Sequence, residues 1–381
     1  LDMRGRTDYS DSAGEMQIIP IGDPRCDRSD SKDTGYGTCL AVDTTDMANG
    51  EYYINPGQIR DYRGQLERDN LFVFINHEMS DGKELFAEIG SYSSEYSRNK
   101  EPAGDFSTAL LELGSDYYYS AAIGLTADNS SSRKNIRIDN WRPDIGPRVI
   151  NVEKETYRYL VGLRGTTDSG WDWESAVLYS KADSEDETNN RLSNSLLQAG
   201  LNGTTAATAI NIFSSDVKTA LAPAIVDVFR NDSSSLSSID FKASNPEVMM
   251  APAGPVAMVY GFEYRKEAYR DNRDPRLDGT IQFTSLVTGL GFPFVGDVLG
   301  SSPTADTAGK RTTASAFVEL QLPLTENIDT QIAVRHESPD DTDSSTVGKF
   351  ALGWDIHEDL LIRASASTSF RVPNLIQQNQ L

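Results

Sequence analysis

The chain has 381 residues, with 57 acidic side chains against 35 basic ones and a formal net charge of −22. That balance excludes a nucleic-acid partner, whose phosphates need a basic face, and the 4 Trp, 16 Tyr and 14 Phe are too many for a disordered acidic polymer. No apolar run approaches the ~20 residues of a membrane-spanning helix; the mildest stretch, Met249 to Phe262, is broken by Pro252, Gly254, Pro255 and Gly261.

The chain opens on Leu1 with no succession of charged, apolar and small residues that would mark a secretion signal. It stops at Leu381, shortly after a strand-like run, and is expected to be an internal fragment of a longer protein. Cys26 and Cys39 close a hydrophilic loop rich in Asp, Ser and Gly. This arrangement suggests a local disulfide and an oxidising compartment. A zinc pair fits less well, because the spacing is wrong and no His is near.

From about Asn70 onward the hydrophobic period is 2 rather than 3.6. Strand pairs are predicted at Asn70–Met79 with Glu84–Arg98, and at Val149–Gly165 with Trp171–Lys181. They continue at Ile239–Met250 with Val256–Arg270, Arg311–Pro323 with Ile328–Glu337, and Val347–Ile356 with Leu360–Arg371. Within each pair the join is short and polar, as at Ser80-Asp81-Gly82-Lys83, which is a hairpin signal. Between pairs the joins are long and polar. Loops are expected at about 10–68, 99–148, 182–238 and 271–310, with a shorter, very acidic one at Ser338–Thr346.

Structureless loops of that length are rare in compact soluble domains. Short turns at one end and long loops at the other are instead the pattern of an antiparallel transmembrane β-barrel, with periplasmic turns and extracellular loops. Asp341 is therefore expected outside the cell and Glu358 on the periplasmic side. Val217–Phe229 reads as a short amphipathic helix inside a loop. The acidic clusters Asp183–Glu187, Pro339–Asp343 and Asp27–Asp33 are placed mostly in loops, and Trp171, Trp173 and Trp354 near the short turns, where an aromatic girdle would sit.

The alternation also sets which face is wet. With Val256, Met258 and Tyr260 toward lipid, Glu263, Arg265 and Glu267 point inward; with Ile362, Ala364 and Ala366 toward lipid, Arg363, Ser365, Ser367 and Arg371 do. A charge on the lipid face costs about 2–4 kcal/mol near the midplane, which forces this phase inside a bilayer. The inward charges either touch a plug or substrate, or form ion pairs along the wall.

Leu361-Ile362-Arg363-Ala364-Ser365-Ala366-Ser367-Thr368-Ser369-Phe370-Arg371-Val372-Pro373-Asn374-Leu375 resembles a strand of the TonB-dependent outer-membrane receptors. So do Lys349–Trp354, Ala253–Arg265, Gly146–Arg148 with Tyr157–Gly165, and Glu84–Glu88, all in the family's order. The resemblance implies that residues 1–381 are the middle part of a barrel of about 22 strands, all-β and antiparallel, with plug domain and last strands elsewhere. It implies an outer-membrane location in a Gram-negative bacterium, contact with lipid and lipopolysaccharide, and energy from the TonB complex. The implied activity is import of a scarce, large nutrient such as a siderophore, cobalamin, haem or oligosaccharide.

No enzyme constellation or cofactor motif stands out. His77, His336 and His357 lie on separate segments and read as strand or turn residues. Asp271–Gly279 is rich in carboxylates but lacks the alternate-position spacing of a calcium loop, so it reads as a solvated loop. Gly291–Gly296 is an apolar stretch inside a loop, assigned to packing against a neighbouring loop rather than to ligand. The competing functions are a non-transporting surface adhesin, whose loops would carry repeats, and a passive porin, whose loops would be shorter.

Overall fold

The computed structural model describes residues 4–8, 15–29, 31–42, 56–104, 111–123, 137–284 and 289–379. Ten strands form one sheet in strict chain order, every neighbouring pair antiparallel. They are β1 (Gln65–Glu78), β2 (Glu84–Lys100), β3 (Arg148–Thr166), β4 (Asp172–Leu192) and β5 (Ile225–Ala251). After them come β6 (Gly254–Arg273), β7 (Thr307–Thr325), β8 (Ile328–Pro339), β9 (Ser345–His357) and β10 (Leu360–Ser367). The sheet is an open wall, with β1 at one edge and β10 at the other.

The short joins are as tight as the sequence predicts. In the β1–β2 turn the Met79 amide donates to the Lys83 carbonyl at 2.7 Å, and Gly82 adopts φ +77°, which only glycine takes without strain. In the β3–β4 turn the Thr167 amide donates to the Trp171 carbonyl at 2.8 Å, with Gly170 at φ +79°.

Residues directly opposite in neighbouring strands share a face, so the register sorts the two sides of the wall. One row runs Ala87, Val161, Val177, Ile239, Tyr264, Ala314. Nearer the short turns a second runs Trp173, Ala243, Tyr260, Val318, Val334, and a third Met258, Leu320, Ile332, Phe350, Ala366. Val161, Val177, Ile239 and Tyr264 are 45–55% exposed, so the chain leaves these large apolar side chains of the band uncovered. An apolar band that wide, facing outward, needs an apolar solvent. On the same face, away from the short turns, the band gives way to Lys266 and then to Lys181 and Lys310. Lysines at that height bury their stems along lipid and keep their heads in water.

The wall rises well above the band. A spanning strand needs about 9–11 residues, whereas β3, β4, β5 and β6 have 19, 21, 27 and 20. The Asp183–Glu187 cluster, expected in a loop, lies within β4. Likewise residues 182–192 and 225–238 of the stretch expected as loop are strand, and of the predicted Val217–Phe229 helix only Val217–Leu221 is α-helical. Past the bilayer both faces meet water, so apolar alternation disappears from the sequence while the backbone ladder continues.

The long joins are not structureless. Residues 4–8, 15–20, 32–33, 38–42, 111–112 and 137–142 form a six-stranded sheet of their own. It shares one apolar core with the β4–β5 and β6–β7 joins, built around Leu40, Trp141, Leu197, Phe213, Leu221 and Leu299. These joins and the segment that precedes β1 thus fold together into a cap at the end of the wall opposite the short turns.

Candidate functional site

The polar face of the wall is a field of ion pairs. Arg164 holds Glu84 through two bonds of 3.1 and 2.7 Å, and Lys242 pairs with Glu174 at 3.0 Å. Arg265 lies between Glu263 at 3.3 Å and Glu267 at 3.5 Å on its own strand. Glu263, Arg265 and Glu267 occupy this face, opposite Asp240, Ser238 and Leu236 respectively. Arg363 is on the same face, opposite Gly353, beside a cavity that Asp329, Gln331 and Lys349 also line. Arg371 differs from the expectation: β10 ends at Ser367, and Arg371 follows on an exposed segment. The Thr368 amide and the Gly348 carbonyl bond at 2.9 Å, and Pro373 has no amide to continue a ladder.

Three glycines on this face make room for aromatic rings. Phe72 lies over Gly90, Phe86 over Gly162 and Phe317 over Gly261; a Cβ at Gly261 would stand 2.7 Å from the Phe317 ring. The Arg164 guanidinium covers Phe86 at 5.4 Å, so this ring carries a charge above it.

Past β10 the chain turns back across the polar face. Phe370, Val372, Leu375 and Ile376 line, with Arg265, Glu267, Arg335 and Glu337 of the wall, an open cavity of about 770 Å³. Arg311, nearly buried, bonds Asp341 at 2.7 and 2.8 Å and the Gln378 side chain at 2.6 Å. Neither Arg311 nor Gln378 carried a signal in the sequence, and Asp341 read only as part of an acidic loop.

In the cap, Cys26 and Cys39 are joined by a disulfide. The segment they close docks on the β4–β5 join: Thr38 Oγ1 donates to the Phe213 carbonyl at 2.5 Å and the Ser215 amide to the Tyr36 carbonyl at 3.0 Å. A second clamp centres on the fully buried Asp297 and Ser193. Asp297 Oδ2 accepts from Ser193 Oγ at 2.7 Å and Arg276 at 2.6 Å, while Oδ1 accepts from the Ser195 amide at 2.8 Å. Ser193 caps the helix Asn194–Leu201, so Asp297 fixes that helix to the β6–β7 join. Within the Gly291–Gly296 stretch, Val295 is buried in the shared core while Phe294 is 84% exposed. Burial pushes the Tyr117 phenol up; its hydroxyl donates to the Ile210 carbonyl at 2.6 Å. Beside the cap, the Arg60 guanidinium holds Glu101 down at about 2.

The carboxylates of 271–279 are engaged in pairs and turns. Asp271 takes Arg230 at 3.0 Å and Arg273 at 2.8 Å, and Asp274 and Asp278 accept from the Arg276 and Thr280 amides. Among the described residues no three His, Cys, Asp or Glu converge on a metal-holding geometry. Nor is any described helix long and apolar enough to cross a membrane.

An outward apolar band on a tall antiparallel wall, an ion-paired inner face and a folded cap define a wall of the outer-membrane barrel class. The family described as "TonB dependent receptor-like, beta-barrel" matches residues 106–380, and the chain belongs to it. TonB-dependent receptors are outer-membrane proteins of Gram-negative bacteria, and the family is one of transporters. Solved structures with a similar fold include the siderophore receptor PirA from Acinetobacter baumannii, with 13% identity, a TM-score of 0.44, and coverage of 83% of this chain and 35% of that one. The ferric enterobactin receptor PfeA from Pseudomonas aeruginosa shows 13% identity, a TM-score of 0.41, and 84% and 35% coverage. The FpvAI–pyocin S2 complex shows 8% identity, a TM-score of 0.45, and 79% and 36% coverage. The chain thus spans about a third of the length of these structures. No curated protein matches it in sequence.

Proposed function

We propose that this chain forms part of the barrel of an outer-membrane receptor that imports a scarce, large nutrient with energy from the TonB complex. The candidate ligands are a siderophore, cobalamin, haem or an oligosaccharide. Family membership carries the reading, and the cap gives it a structural means. A preformed surface above the membrane binds a dilute ligand without first ordering long loops, a step that would cost affinity. The ion-paired inner face, including Glu263, Arg265, Glu267 and Arg363, lines the path or meets a plug, with lipid and lipopolysaccharide on the outer face.

Deletion of the gene tests this in cells starved of iron or of glycan, with uptake of labelled ferric siderophore, cobalamin, haem and oligosaccharide measured. One ligand is expected to lose uptake both in the deletion strain and in a strain lacking TonB. Uptake that persists without TonB contradicts the reading and indicates a passive pore. Surface binding with no uptake of any ligand indicates an adhesin.

A further inference from the structure

The segment after β10 has no part in the apolar band or the cap, yet it is tied into the wall at three places. At its start, Thr368 exchanges bonds with Gly348 of β9: its amide donates to the Gly348 carbonyl at 2.9 Å, and its hydroxyl accepts from the Gly348 amide at 3.0 Å. In the middle, Leu375 is buried against the polar face. At its far end, Gln378 bridges two elements. Its side-chain oxygen accepts from Arg311 of β7 at 2.6 Å, and its side-chain nitrogen donates to the Asp341 carbonyl at 2.9 Å. Asp341 belongs to the β8–β9 join on the cap side, and its carboxylate takes the same Arg311. One guanidinium thus joins an outer loop to an inner segment.

The fit at Gly309 has the same logic. Asn379 occupies the space that a side chain there would fill; its Cγ lies 3.1 Å from where a Cβ would stand. The short helix Leu375–Asn379 can therefore lie flat on β7. Beneath the segment is the cavity of about 770 Å³.

We propose that Thr368–Asn379 is a strap that narrows the transport path beside β6–β9, latched by Arg311, Asp341 and Gln378, and that it leaves the wall when the β8–β9 loop moves. The chemistry suits a reversible latch. The Arg311–Asp341 pair is self-sufficient, so losing Gln378 costs the strap two hydrogen bonds and leaves no buried charge unpaired. Displacement of the loop withdraws the Asp341 carbonyl from Gln378 and the Asp341 carboxylate from Arg311, so the far end of the strap is left with the single bond from Arg311 of the wall.

This inference rests on the transport reading, and its test separates the two. In the full-length receptor, Gly309→Cys with Asn379→Cys places two thiols at the contact. Oxidation is expected to give a crosslink, seen as a mobility shift that reductant reverses, and to cut at least tenfold the uptake of whichever of labelled ferric siderophore, cobalamin, haem and oligosaccharide the deletion strain fails to import, with full recovery on reduction. Adding Gln378→Ala to that cysteine pair is expected to slow formation of the crosslink several-fold while surface expression stays unchanged. Absence of the crosslink in a folded, expressed receptor overturns the strap's placement. A crosslink with undiminished uptake overturns its role while leaving transport standing. Absence of uptake in the reduced and unsubstituted receptors alike counts against the transport reading itself. An unchanged rate of crosslinking with Gln378→Ala overturns the latch.

Discussion

The cap and the wall are stabilised by opposite arrangements of the same residue types. In the cap, Trp141, Phe213, Leu197 and Leu221 are fully buried, and water drives them together. In the wall, Val177, Ile239, Phe262 and Tyr264 stand outward with 45–55% exposure, while charges line the other face. The wall's backbone order comes from its ladder, and its apolar side is completed only by lipid. One chain is therefore solved for two solvents, and a perturbation should act on one region and spare the other.

The sharpest break is expected from Trp141→Ala, which empties the largest side chain of the cap core. A loss of about 3–5 kcal/mol of cap stability should appear as rapid proteolysis of the joins, with the wall still migrating as a folded barrel. Ile239→Arg is the converse. It should leave the cap protease-resistant and cost about 2–4 kcal/mol in folding into lipid vesicles, read from the urea midpoint.

A smaller effect is expected from acid. Glu101 is held at about 2 by Arg60, below its ordinary value of 4.5. A carboxyl depressed on folding stabilises above its unfolded value and loses that contribution as pH falls from about 4.5 toward 2. With a solvent-exposed partner the contribution should stay below about 1 kcal/mol, and Glu101→Gln should remove that part of the acid dependence. The smallest effect concerns the outer face above the lysines. There Glu67, Glu95, Glu153 and Glu185 are directly opposite in successive strands. Like charges so placed repel by a few tenths of a kcal/mol up to about 1. Glu153→Gln should stabilise the wall at low salt, and the gain should vanish at high salt.

These two regions were unequally legible in the sequence. The bilayer imposes alternation on every strand it touches, so β6, with Met258, Tyr260, Phe262 and Tyr264 outward and Glu263 and Arg265 inward, is readable residue by residue. The cap is not, because Leu40, Trp141, Phe213 and Leu299 lie in short, scattered apolar patches with no sustained period and become a core only through distant pairing. The upper halves of β4 and β5 were hidden for a different reason: where both faces are wet, the ladder holds the strand and side-chain pattern gives no notice of it. Arg371 shows the limit at the other end. The alternation runs through to it, but the bonds between Thr368 and Gly348 end the strand first.

The claim that joins both regions is sidedness: cap outside the cell, short turns inside. Single cysteines at Asp343 and Glu358, both exposed, test it with a membrane-impermeant thiol reagent on intact cells. Asp343 is chosen because Asp341 is held by Arg311. Asp343→Cys is expected to label on intact cells, and Glu358→Cys only after the outer membrane is opened. Labelling of Glu358→Cys with protection of Asp343→Cys would contradict the account.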